Sequence, residues 1–74
     1  MPPNPAPYRI VRRKLLRAGF EISGQTGSHV KFAKHVEGHK LTVIVPFTRG
    51  DIKPGTINSI LKQARLTWEE FRTL

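Results

Sequence analysis

Between Phe20 and Pro46 the chain alternates short runs of period-two hydrophobicity with two glycine-bearing turns, a pattern that restricts it to a set of antiparallel strands. Phe20 and Ile22 alternate with Glu21 and Ser23, as in a half-buried strand, and Gln25-Thr26-Gly27-Ser28 then supplies turn residues. A second strand runs from His29 to about Lys34, with His29, Lys31 and Ala33 on one face and Val30 and Phe32 on the other. Val36-Glu37-Gly38-His39 makes the next turn, where Gly38 can take a positive φ. Lys40 to Val45 is β-branched and apolar, with Leu41, Val43 and Val45 on one face and Thr42 and Ile44 on the other. Pro46 then removes a backbone donor and ends this third strand.

Helical patterns flank the strands. Val11, Leu15 and Ala18 form one stripe of a helix from Tyr8 to Ala18, which Gly19 terminates. A loop covers Phe47 to Lys53. Pro54 then stands where a helix begins and its missing N–H costs nothing, and Ile57, Ile60, Leu61 and Ala64 follow the spacing of a core-facing helix. Thr67 and Glu70 make a capping-box pair, with Leu66 and Phe71 as a hydrophobic staple, so a short terminal helix is expected from Trp68 to Leu74. Residues 1–7 hold Pro2, Pro3, Pro5 and Pro7 and are expected to form a disordered, solvated tail, leaving 8–74 as a single domain. The expected architecture is α+β: helix, three-stranded antiparallel sheet, helix, then a short C-terminal helix. Both main helices pack on one face of the sheet and the other face stays open to solvent. This order, with a basic surface, looks like a double-stranded-RNA-binding domain.

The charge balance points to the partner. Thirteen Lys and Arg stand against five Asp and Glu, for a net +8 and a pI of about 11.0, and a basic excess of that size draws polyanions, nucleic acid first. A membrane is the competing polyanion. No apolar run approaches spanning length, no basic helix has a strong aromatic face, and the N-terminus lacks the apolar core of a secretory signal, so a cytoplasmic protein with no membrane role is expected. The absence of cysteine removes disulfides and thiolate metal sites. His35 and His39 have i, i+4 spacing, but the turn at Gly38 denies them the helix that spacing needs, so no metal is expected. Arg12, Arg13 and Arg17 read equally well as a solvated face and as a phosphate-contacting ridge. Phe47 and Trp68 could stack on bases but read better as core or interface residues.

Chemistry concentrates at Gly27-Ser28-His29-Val30-Lys31-Phe32, where a turn opens into a strand. Gly27 and Ser28 support the turn, Val30 and Phe32 anchor the strand in the core, and the imidazole of His29 faces outward on a stiff element with Lys31 beside it. On the residues alone, His29 reads better as a polar residue filling an edge position than as a catalytic group.

The order and spacing of five segments resemble the HicA (YcfA-like) family, the toxins of HicA–HicB toxin–antitoxin systems. The segments are Leu15-Leu16-Arg17-Ala18-Gly19-Phe20, the Gly27 to Phe32 run, Thr42-Val43-Ile44-Val45-Pro46, Asp51-Ile52-Lys53-Pro54-Gly55-Thr56, and Ile60-Leu61-Lys62-Gln63-Ala64. The resemblance spans about Val11 to Phe71. It implies a double-stranded-RNA-binding-like fold, mRNA-cleaving activity without a cofactor, restraint by a HicB-type antitoxin, and catalysis by the histidine after Gly-Ser, here His29. Lys31 is then the natural stabiliser of charge on the phosphate, with Arg12, Arg13 and Lys53 as RNA-binding residues. A non-catalytic RNA-binding module of the same fold is the alternative. Two departures stand out. His35-Val36-Glu37-Gly38 replaces a His-Pro-Asp-Gly turn, and Arg65 stands where the family often has the glycine that ends the second helix.

Overall fold

The structure is a computed structural model and describes residues 3–74; the first two residues of the expected tail lie outside that range. Eight elements follow in order: β1 (Ala6–Pro7), α1 (Tyr8–Arg17), β2 (Glu21–Thr26), β3 (His29–Val36), β4 (His39–Pro46), β5 (Asp51–Ile52), α2 (Pro54–Ala64) and α3 (Trp68–Arg72). Strands β2, β3 and β4 form the three-stranded antiparallel sheet in that order. The expected α+β arrangement is what the chain adopts.

Side-chain alternation divides the sheet into two faces. Val30 pairs with Val45 and Phe32 with Val43, and all four are buried. They share one cluster with Val11 and Leu15 of α1, Ile57, Ile60, Leu61 and Ala64 of α2, and Phe71 of α3. The helices therefore cover the same face. His29, Lys31 and His35 belong to the opposite face and are exposed. One molecular dimension of 17 Å is what a sheet carrying a single helical layer occupies.

Glu37 and Gly38, both at positive φ, close the β3–β4 hairpin in two residues, the geometry whose twist suits paired strands. At the other hairpin only Gly27 has positive φ. Strand β4 is an edge, and α2 covers it: the Ile44 N–H donates to the Gln63 side-chain oxygen at 3.0 Å.

Both main helices end in the same way. At α1, Gly19 (φ 98°) donates to the Leu16 carbonyl and Phe20 to that of Leu15. At α2, Arg65 (φ 56°) donates to Lys62 and Leu66 to Leu61. This is the Schellman pattern, and Arg65 occupies the left-handed position that glycine fills in α1. The helix thus keeps its ending despite the missing glycine, at the cost of a strained backbone held by the packing of Leu61 and Leu66. Arg65→Gly is accordingly expected to raise stability by about 1 kcal/mol, after the entropy lost with glycine is counted. A urea midpoint that falls would contradict that account.

At α3 the capping box is complete. The Glu70 N–H donates to the Thr67 hydroxyl at 3.1 Å and the Thr67 N–H to the Glu70 carboxylate at 2.8 Å. Hydrogen bonding to the Glu70 carboxylate from the Thr67 backbone N–H, and secondarily from the Thr67 side chain, holds it below its ordinary pKa. The helix stops at Arg72, short of the expected Leu74.

Three expectations change. Ala6 and Pro7, read as part of a disordered tail, pair with Ile52 and Asp51. Proline suits this two-residue edge because the ladder asks little of its missing N–H. The same pairing makes a strand in what was expected to be a loop and buries Ile52. Strand β2, expected to be half-buried, is exposed along its whole length, and Ile22 is 45% accessible. The pairing jumps from Ile22–Phe32 to Gly24–Lys31, so Ser23 is an extra residue that reverses the faces beyond it, and Phe20, just outside the strand, enters the core instead.

Candidate active site

Local rules build the turn before His29, and one local and one long-range bond hold it. Gly27 supplies the positive φ, and the Gln25 side-chain amide donates to its carbonyl at 3.1 Å. The next carbonyl, that of Ser28, accepts from the Phe47 N–H at 2.6 Å, which ties the turn to the segment leaving β4. His29 opens β3 between Thr26 on β2 and Pro46 on β4. It is exposed, and its neighbour Val30 is buried, so the backbone beneath the imidazole is anchored while the ring meets solvent.

Lys31 follows on the same face between Gly24 and Ile44. A side chain built at Gly24 would meet nothing within 4 Å, so the strip beside Lys31 is open to close approach by another molecule. His35 shares the face, but it lies six positions along the strand from His29, about 20 Å at about 3.3 Å per residue. His39 pairs with Val36 and so belongs to the opposite face from His35. The i, i+4 pair is thereby split by the sheet.

The basic residues divide by task. The Lys14 amine donates to the carbonyls of Phe71, Arg72 and Leu74 at 3.1–3.2 Å and closes the end of α3. Desolvation, with Arg13 and Arg17 nearby, lowers its pKa. Lys34 donates to the Ala18 carbonyl at 2.6 Å and lies 5.6 Å from the centre of the Phe20 ring. Arg72 pairs with Glu69 at 2.7 Å. These three serve the fold. Arg12, Arg13, Lys31 and Lys53 are exposed.

Arg12 lines a groove of about 540 Å³ together with Tyr8, Arg9, Val30, Phe47 and Arg49 among others, at the same strand end as His29 but on the helix-covered side. Burial pushes the Tyr8 phenol above its ordinary pKa, against the pull of Arg12. Arg13 and Lys53 do not line the groove; Lys53 caps α2, its carbonyl accepting from Ile57 at 2.9 Å. The sequence pattern had not singled out Arg9 or Arg49, because only the return of the chain after β4 brings position 49 to the start of α1. Phe47, read as core or interface, is 56% exposed and tilts against Tyr8 with ring centres 4.8 Å apart. Trp68 is half-buried beside Phe71.

A family model described as HicA toxin of bacterial toxin-antitoxin matches residues 8–66, from the start of α1 to just past α2. No curated protein matches the chain.

Proposed function

Because the chain belongs to the HicA family of bacterial toxin–antitoxin toxins, we propose that it is an endoribonuclease that cleaves mRNA without a metal, uses His29 as its acid–base group, and is restrained by a HicB-type antitoxin in the cytoplasm. The observation that carries the reading is the exposed His29 at the mouth of β3, with Lys31 beside it on the face no helix covers.

The chemistry follows from RNA itself. His29 takes the proton of a 2′-hydroxyl, the 2′-oxygen attacks the adjacent phosphorus, and the bond to the 5′-oxygen breaks as that oxygen gains a proton. The products are a 2′,3′-cyclic phosphate and a 5′-hydroxyl. An acid–base group of this kind is worth about 10²–10⁴-fold. Lys31 adds charge stabilisation where the phosphate oxygens become more negative, and the open strip at Gly24 lets the backbone approach it. His35 is too distant to supply the second proton transfer to the same phosphate.

RNA binding rests on Arg12, Arg13, Lys31 and Lys53 and should fall steeply with salt as counterions are released. No described helix is long and apolar enough to cross a membrane. The test is incubation of the purified protein with a long RNA in excess chelator. Cleavage leaving cyclic phosphate ends is expected; intact RNA, or cleavage only after a divalent metal is restored, would refute the mechanism.

A further inference from the structure

The groove behind the catalytic strand end has a composition that neither packing nor solubility accounts for. Arg9, Arg12 and Arg49 converge on it, and none of its described lining residues is acidic. Set between these cations is Phe47, more than half exposed in a chain whose other phenylalanines Phe20, Phe32 and Phe71 are buried. Its ring tilts at 60° against Tyr8 at the margin of the core, and more than half of the residue stays open to solvent. The start of α1 adds to this, with no acidic residue in its first turn and no side-chain cap on its N–H groups. A volume of about 540 Å³ is within the range of small-ligand sites.

We infer that this groove is a stacking subsite for one unpaired nucleotide of a single-stranded RNA, the base resting on Phe47 and the flanking phosphates held by Arg9, Arg12 and Arg49. An aromatic surface among cations matches a base among phosphates, whereas a purely apolar ligand would gain nothing from three guanidinium groups. A base within a duplex is already stacked and has no face to offer. The subsite is coupled to His29 through the backbone: Val30 lines the groove, His29 precedes it, and the Phe47 N–H holds the Ser28 carbonyl. An RNA strand reaching the groove passes over the Gly27–Ser28 turn to the imidazole on the other face. The inference rests on the ribonuclease reading for the kind of ligand and deepens it, giving the enzyme a preference for single-stranded substrate.

Binding of a short fluorescein-labelled single-stranded RNA, and of the matching duplex, to the full chain carrying His29→Ala tests it without consuming the probe. Adding Phe47→Leu keeps an apolar side chain but loses the ring, and is expected to weaken single-strand binding about tenfold while leaving the duplex unaffected. Arg49→Gln is expected to weaken both and to lower the single-strand salt slope by about 0.7. Both side chains are exposed, so thermal melts should match the parent. Unchanged single-strand affinity in a folded Phe47→Leu protein overturns the inference. So does an equal loss for duplex, or a loss confined to binding of the antitoxin protein, which would give the groove to a protein partner. The two proposals separate cleanly: a wild-type chain that does not cut RNA but binds it through Phe47 keeps the subsite and loses the nuclease. Cleavage with Phe47-independent binding does the reverse.

Discussion

Replacing His29 with Ala is expected to lower RNA cleavage by at least about 100-fold while leaving the fold and most of the RNA affinity intact. The fold should survive because the imidazole is exposed and β3 is held by Val30 and Phe32, not by the residue at its mouth. Binding should survive because it rests on lysines and arginines spread over the surface, whose phosphate contacts do not involve the ring. The comparison to make is single-turnover cleavage against binding, with a melt as control. A purified variant that cuts RNA at the parental rate, or still arrests growth when expressed, removes His29 from the mechanism and favours a module that only binds RNA. Lys31→Ala is the companion: it loses a cation and no core contact, so it should slow cleavage and leave stability within about 0.5 kcal/mol.

Phe32→Ala should have the largest effect on stability. The ring is fully buried against Val43 across the sheet, in a cluster that also takes residues from all three helices. Truncating a buried phenylalanine costs about 3–5 kcal/mol, because the cavity left behind collapses only in part. A domain of 74 residues is expected to have about 4–11 kcal/mol in total. The variant is therefore expected to lose between about a quarter and all of that stability, read by circular dichroism and by the urea midpoint. A loss below about 1 kcal/mol would mean that the sheet faces the helices with its other side. A one-residue slip of β3 would do that, and it would also bury His29 and Lys31.

The two variants touch the two faces of a single strand, and that division was legible from alternation alone. So were the Glu37–Gly38 turn, the start of α2 at Pro54 and the Thr67–Glu70 box, because each depends on residues a few positions apart. The face and neighbours of His29 came from the same local pattern. The catalytic role proposed for it did not, and rests on the family resemblance.

The features that local pattern misjudged involve distant partners. Arg65 put the usual end of α2 in doubt, yet the packing of Leu66 and Leu61 outweighs its steric cost. Ile22 alternates as a core residue would and pairs with buried Phe32, but it borders the open groove beside Val30 and stays at the surface. Lys14 and Lys34 look like surface charge until the carbonyls they cap are brought up from positions 71–74 and 18.

The sequence by itself determined the three strands of the main sheet, the helices, their order and the outward histidine, since period and turn chemistry act over a few residues. Only the tertiary structure decided which cations bond within the fold and which stay exposed. It alone assembled the groove from Tyr8, Arg12, Val30 and Phe47, residues that meet only when the chain returns after β4 and the Phe47 N–H closes on Ser28. Contacts between such distant positions are chosen by the packing of the whole core, and no short stretch of chain carries that information.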